Sequence, residues 1–229
     1  KFTYKIKTKF MDHIVSNLIR IKEEINSKNI KNDQNISPKI IAVSKTFSEN
    51  KIFPLIEHGH EDFGENKVQE AMDKWIKIRE KHPNLKLHMI GKLQTNKVKN
   101  AVKIFEYIHS VDSMKLAKKI SEEQNKIKKK IKIFIQINVG AESQKSGIDL
   151  DSFKRFYNFC KNDLNLDVIG AMCIPPIDEK TEEYFSIMLD IKKKFNLKEL
   201  SMGMSNDYLL AIEYGSTYLR IGSKIFGAR

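Results

Sequence analysis

Sulfur chemistry is nearly absent from this 229-residue chain, whose two cysteines, Cys160 and Cys173, lie far apart and form no metal-type pair. That excludes a disulfide framework and a cysteine-based zinc site, and it fits a reduced, cytoplasmic setting. Long hydrophobic runs are missing too. No stretch approaches the roughly 20 apolar residues that cross a bilayer, and the basic start KFTYKIKTKFMDHIV lacks the apolar segment of a secretory signal. Arginine is scarce: the 41 basic residues are 36 Lys and 5 Arg. The formal net charge of +12 invites a nucleic-acid reading. Base recognition, however, relies on arginine forks, and these lysines are spread along the whole chain rather than gathered into a patch. The expectation is a protein with neither a nucleic-acid nor a membrane partner. Gly- or Pro-rich hinges and low-complexity tracts are also lacking, which leaves one domain over residues 1–229.

What is present is globular in balance, with 41% hydrophobic and 31% charged residues. Short β-branched apolar runs recur between longer helical patterns. They predict strands at 40–43, 62–64, 87–90, 107–110, 133–137, 168–172, 199–201 and 218–221. Eight strands, most followed by helical periodicity, spell parallel βα units. The predicted fold is α/β, a single (β/α)8 TIM barrel closed on itself. An additional amphipathic helix over 10–26, within a segment 1–30 that packs on the barrel, precedes the first strand. Asn66, with Gln69 three residues later, reads as a capping box for the helix after the second strand.

Barrels of this kind carry their sites at the carboxyl ends of the strands, with phosphate held after strands seven and eight. After the seventh comes LSMGMSND, with Ser201, Gly203 and Ser205; after the eighth comes RIGSKIFG, with Gly222 and Ser223 opening a last short helix. Glycine lets backbone approach an anion, hydroxyls donate to it, and a helix start presents unpaired N–H groups. The same residues are common in plain turns, so the pattern alone supports a phosphate cup and ordinary βα turns equally. The first strand runs out through AVSKTF, placing Lys45 just past its apolar run. Partial burial lowers a lysine's pKa and frees its amine as a nucleophile. One position among 36 lysines says little by itself; beside an anion cup it points to an aldehyde cofactor that carries a phosphate. Other polar residues read more plainly. His58 and His60 have no third ligand nearby, so no metal is expected. His88 is either a satisfied barrel histidine or a group near the site. Glu65 and Asp112, beside turns, read as solvated or capping carboxylates, Trp75 and Phe63 as packing, and Cys173 as a buried inert thiol.

In order, AVSKTF, FGENKVQEA, HMIGKLQTNK, HSVDSMKLA, QINVGAESQKSGI, GAMCIPP and LSMGMSNDYLLAIEYGSTYLRIGSKIFGAR span nearly the whole chain. Together they resemble the pyridoxal phosphate homeostasis proteins, a family related to the amino-terminal barrel of bacterial alanine racemases. The resemblance implies a fold type III barrel that binds pyridoxal 5′-phosphate (PLP) and stores, buffers or delivers it as a monomer, with PLP-dependent apoenzymes as recipients. It implies a covalent Schiff base on Lys45. It also implies a phosphate among Ser201, Gly203, Ser205, Gly222 and Ser223, Arg220 facing the pyridine nitrogen, and Asn66 and His88 near the ring or the open face. Lys67 and Lys92 depart from the family pattern, which has an aromatic and a histidine there. A guanidinium stays protonated and donates to the ring nitrogen, leaving a weaker electron sink than a pyridinium. Racemisation needs acid–base groups on both faces of the α-carbon. The related racemases take the second from a separate β-domain, whereas the sequence here reaches Arg229 directly after the eighth unit. A non-catalytic carrier is therefore expected, with a weakly active amino-acid racemase as the alternative.

Overall fold

The computed structural model describes residues 12–31, 37–142, 144–176 and 180–228. Eight strands alternate with helices: β1 Lys39–Val43, β2 Asp62–Glu65, β3 Lys86–Met89, β4 Tyr107–Val111, β5 Lys132–Ile137, β6 Asp167–Cys173, β7 Glu199–Ser201 and β8 Tyr218–Ile221. All neighbours pair in parallel, and β1 closes on β8 with Ile40 opposite Leu219 and Ile41 opposite Arg220. This is the expected (β/α)8 barrel, with strand bounds within about two residues of the sequence reading.

The closure follows from strand composition. In a barrel wrapped by helices both faces of each strand are buried, so strands read as continuous apolar runs. β1, KIIAV, is buried at every position after Lys39. The two faces separate by alternation: Ile40 and Ala42 pack outward against helices, whereas Ile41 joins Tyr107, Phe134, Met172 and Tyr218 in an inner cluster.

The helices are α1 His13–Lys31, α2 Glu49–Glu57, α3 Val68–Lys81, α4 Val98–Ile104, α5 Met114–Lys126, α6 Phe153–Asn158, α7 Thr181–Lys194, α8 Tyr208–Glu213 and α9 Ser223–Phe226. The additional α1 starts later and runs longer than the expected 10–26; of the 1–30 segment, residues 1–11 lie outside the described residues. Its buried stripe Ile14, Leu18, Ile21 and Ile25 follows helical spacing and packs on α9, α2 and α8. Asn17 Nδ2 donates to the Ile225 carbonyl at 3.0 Å, tying α1 to the end of the barrel chain.

The capping box does not form. α3 begins at Val68, Lys67 stands at the cap position, and no side chain accepts there. Gln69 donates to Asp73 at 2.8 Å instead. The cause is close packing: a Cβ on Gly91 would lie 2.4 Å from the Asn66 carbonyl oxygen, so the β2–α3 connection is pressed onto the exit of β3. Asn66 is thereby turned to the barrel mouth. Gly91→Ala is expected to force these loops apart and to lower stability by about 1–3 kcal/mol, the usual range for overpacking; thermal unfolding measures it.

Candidate functional site

The carboxyl ends of the strands enclose a cavity of about 900 Å³ lined in part by Lys45, Asn66, Ser205, Arg220, Gly222 and Ser223. That is within the size range of small-molecule sites. Six of the nine expected residues thus line one cavity. Phe47, Ile174, Pro175, Pro176 and Met204 give the cavity apolar surface, which the sequence did not single out. The β7–α8 loop is shaped by Gly203, whose φ of +91° favours glycine and whose added Cβ would meet Ala211 Cβ at 2.6 Å. Asp207 closes that loop by accepting from the Met204 N–H at 2.5 Å. The Lys224 N–H reaches Ser205 Oγ at 3.3 Å, so the loops after β7 and β8 sit side by side.

Lys45 follows β1 in a turn that is held from below. Ser44 Oγ donates to Glu65 Oε1 at 2.7 Å, Trp75 Nε1 donates to the same oxygen at 2.9 Å, and Lys74 Nζ reaches it at 3.0 Å. Lys74 also donates to the Ser44 carbonyl at 2.9 Å. The Thr46 N–H donates to Glu70 Oε1 at 2.5 Å, in a backbone with φ of +67°. Glu65, read from sequence as a solvated or capping group, is fully buried. A buried carboxylate needs donors; all three here converge on Oε1, while Oε2 has no hydrogen-bond partner among the described residues, and the side chains that hold Oε1 fix the residue before Lys45.

His88, Ser201 and Gly203 are buried and do not line the cavity. Ser201 lies below Arg220, accepting from its Nη1 at 2.8 Å, while Nη2 donates to the Cys173 carbonyl at 2.8 Å. His109 Nδ1 lies 2.8 Å from Ser201 Oγ, His109 Nε2 lies 3.0 Å from His88 Nδ1, and His88 Nε2 lies 3.0 Å from Asp62 Oδ1. The rings stack in the barrel interior, His88 on Tyr107 and His109 on Phe134, each pair with centroids 4.2 Å apart. Sequence reasoning missed Asp62 and His109. The signal was a set of polar residues interrupting apolar strands: Asp62, His88, His109, Ser201 and Arg220.

Burial dominates the acid–base behaviour. It lowers His109 well below its usual value and lowers His88, whose hydrogen bond to Asp62 opposes it only in part. His60, whose Nε2–H donates to the Asp62 carbonyl, is lowered to about 4 by burial. A folded-state pKa below the unfolded one means that the unfolded chain binds the extra proton, so stability is fully present above about 6.5 and is lost as pH falls towards 4. His60 alone is expected to cost about 3 kcal/mol across that window, measurable by denaturant unfolding at pH 7, 6 and 5. Both thiols are buried and free, and burial pushes each up to about 12, in keeping with inert cysteines. Among the described residues there is no cluster that could hold a metal ion, and no helix long and apolar enough to cross a membrane.

Fold and cavity define a class: a (β/α)8 barrel with a small-molecule pocket at its strand ends, a lysine at the mouth and a buried arginine in its wall. The model of the alanine racemase N-terminal domain matches residues 21–229. A pyridoxal phosphate homeostasis protein of Aquifex aeolicus is 36% identical over 200 residues, 83% of this chain and 87% of that one. The Escherichia coli K12 protein of that name is 32% identical over 231 residues, 96% of this chain and 98% of that one. Among solved structures, PipY of Synechococcus elongatus with PLP bound matches with a TM-score of 0.77 at 31% identity, covering 90% of this chain and 100% of that one. Alanine racemase from Corynebacterium glutamicum shares the fold with a TM-score of 0.70 at 17% identity, 96% of this chain covering 61% of that one. The chain belongs to the pyridoxal phosphate homeostasis protein family.

Proposed function

We propose that this protein binds PLP in the strand-end cavity as a Schiff base on Lys45, and that it serves cofactor homeostasis in the cytoplasm by storing, buffering or delivering PLP to apoenzymes. The observation that carries this reading is one cavity shared by the Lys45 amine, the small-residue rim of Ser205, Gly222 and Ser223, and Arg220. The residues suit the group. Hydroxyls and glycine backbone fit a phosphate, and apolar surface from Phe47, Ile174 and Met204 fits a ring. Arg220 uses Nη1 and Nη2 on Ser201 and Cys173, and a guanidinium has further N–H donors for a ring nitrogen. Ser201, Gly203 and His88 support this wall from behind, with Asn66 at the open side.

When bound, the cofactor would supply an aldehyde within reach of the Lys45 amine. Lys45 would hold that end, Ser205, Gly222 and Ser223 would hold the phosphate, and Arg220 would orient the ring and disfavour a proton on its nitrogen. Among the described residues, the titratable cavity residues besides Lys45 are Arg220 and Asp207, and Asp207 is engaged in closing the β7–α8 loop. No tyrosine or histidine among the described residues lines the cavity opposite Lys45, and a two-face racemase needs such a group. A carrier is thus favoured over an enzyme.

The test is to add PLP, reduce with borohydride and locate the modified residue by peptide mass. Modification of the Lys45 peptide at one equivalent is expected; a stoichiometric adduct elsewhere overturns the reading. Amino-acid racemisation by the loaded protein is expected to stay far below about 1 per second, an ordinary enzymatic rate. Turnover at or above it would establish the enzymatic reading instead.

A further inference from the structure

The barrel interior holds a line of polar side chains that outer packing does not require. It begins at Arg220, buried in the cavity wall at 4% exposure, whose hydrogen bonds go to a hydroxyl and a backbone carbonyl. Among the described residues no ion pair includes Arg220. It ends at Asp62, whose side chain is 16% exposed at the amino end of β2, where it lines a second cavity of about 370 Å³. Four hydrogen bonds of 2.8–3.0 Å join the two through Ser201, His109 and His88.

With burial keeping both rings neutral, the proton positions along this line follow from bonding rules. Arg220 can only donate, so Ser201 Oγ accepts from it and turns its own hydrogen to His109 Nδ1. His109 is neutral, so it carries its proton on Nε2 and donates to His88 Nδ1. His88, neutral in turn, carries its proton on Nε2 and donates to the Asp62 carboxylate. The opposite arrangement requires a protonated Asp62 and leaves the serine hydrogen without an acceptor. Every bond therefore points the same way, from guanidinium to carboxylate, and aligned hydrogen bonds polarise one another.

We propose that Asp62, His88, His109 and Ser201 form a one-directional hydrogen-bond relay along the barrel that positions Arg220 and supplies its counter-charge from the opposite end, making Asp62 a positioning residue for the cofactor site. The link to the cofactor rests on the PLP reading above; the relay itself does not. Its electrostatic setting is consistent. His88 holds the Asp62 carboxyl below its usual range against the opposing effect of burial. The titratable groups facing Asp62 are His88 and His60, with the cations Lys39 of β1 and Lys86 of β3; those acting on Arg220 are the Cys173 thiol and the Asp207 carboxylate at the cavity end.

Two variants separate a relay from a mere field. Asp62→Asn keeps size and removes the charge; Ser201→Ala keeps the charge and cuts the line. In PLP-loaded protein the yellow band should fade as pH rises and the linkage nitrogen at Lys45 loses its proton, which gives a midpoint to compare. With Arg220 less compensated, that proton is held less firmly, so Asp62→Asn should move the midpoint downward by on the order of half a pH unit. In a Ser201→Ala background the same substitution should move it by much less, the non-additivity of a coupled network. An unchanged midpoint in Asp62→Asn, or an equal shift in both backgrounds, overturns the relay. A second measurement needs neither cofactor nor variant: nitrogen-15 spectra at pH 7 should show His88 and His109 neutral and protonated on Nε2. Either ring charged, or protonated on Nδ1, overturns it as well. Should wild-type protein fail to turn yellow with PLP while the rings show the expected tautomers, the cofactor reading falls and the relay stands.

Discussion

Lys45→Ala protein mixed with PLP is expected to lose the stoichiometric yellow adduct, by at least about tenfold in the amount trapped with borohydride. The size of the effect follows from placement. Among the described residues Lys45 is the lysine lining the strand-end cavity. Holding two reacting groups in one site gives effective concentrations far above those of a free encounter, so surface lysines compete only weakly. Lys45→Arg is the sharper companion. It keeps a positive charge at the mouth but offers no nucleophilic amine, because guanidinium stays protonated. Retained non-covalent PLP binding with no trapped adduct in Lys45→Arg would separate phosphate recognition from bond formation. An undiminished adduct in either variant, or one mapped to another side chain, would sink the assignment. Absorbance titration and peptide mass after reduction read both.

Much of this architecture could be read before any coordinates. The eight strands emerge because a helix-wrapped barrel demands apolar residues on both strand faces, and runs such as IIAV and IFIQI have few other uses. The strand-end positions of Lys45, Ser205, Gly222 and Ser223 followed from that count, since the fold puts its pocket there. Three readings needed the structure. Asn66 and Gln69 have the spacing of a capping box, but the tight approach of Gly91 to Asn66 is a contact between distant segments that no local pattern encodes. Glu65 has the sequence surroundings of a turn carboxylate, and its donors Ser44, Lys74 and Trp75 come from the turn after β1 and from α3. Ser201 precedes a loop rich in small residues, yet it ends β7, and its side chain lies beneath Arg220 rather than in the cavity. In each case the side chain meets a partner remote in sequence.

The Glu65 cluster is where fold stability and site geometry meet, and Glu65→Ala is expected to lower stability by about 3–5 kcal/mol, the usual cost of removing one partner from a buried ion pair. Oε1 receives Ser44, Trp75 and Lys74 at once, and Lys74 is itself only 10% exposed. Truncation leaves the indole N–H and the Ser44 hydroxyl without this acceptor, and it strands the Lys74 ammonium between Glu70 and a backbone carbonyl. At 2–4 °C per kcal/mol for a chain of this size, the melting temperature should fall by roughly 10 °C. Glu65→Gln should cost less, because the amide oxygen still accepts from the indole and hydroxyl while losing the charge that pairs with Lys74. The functional consequence distinguishes this cluster from ordinary core packing. Ser44 precedes Lys45, and both its hydroxyl and its carbonyl are held by the cluster. Glu65→Gln, if it stays folded, should therefore bind PLP more weakly than a core variant of equal melting temperature, such as one trimming Ile120, buried on the α5 side of the barrel. Equal affinity in two such stability-matched variants would show that the turn carrying Lys45 keeps its shape without the carboxylate. A Glu65→Ala melting temperature within about 1 °C of wild type would show that the buried pair contributes nothing to the fold.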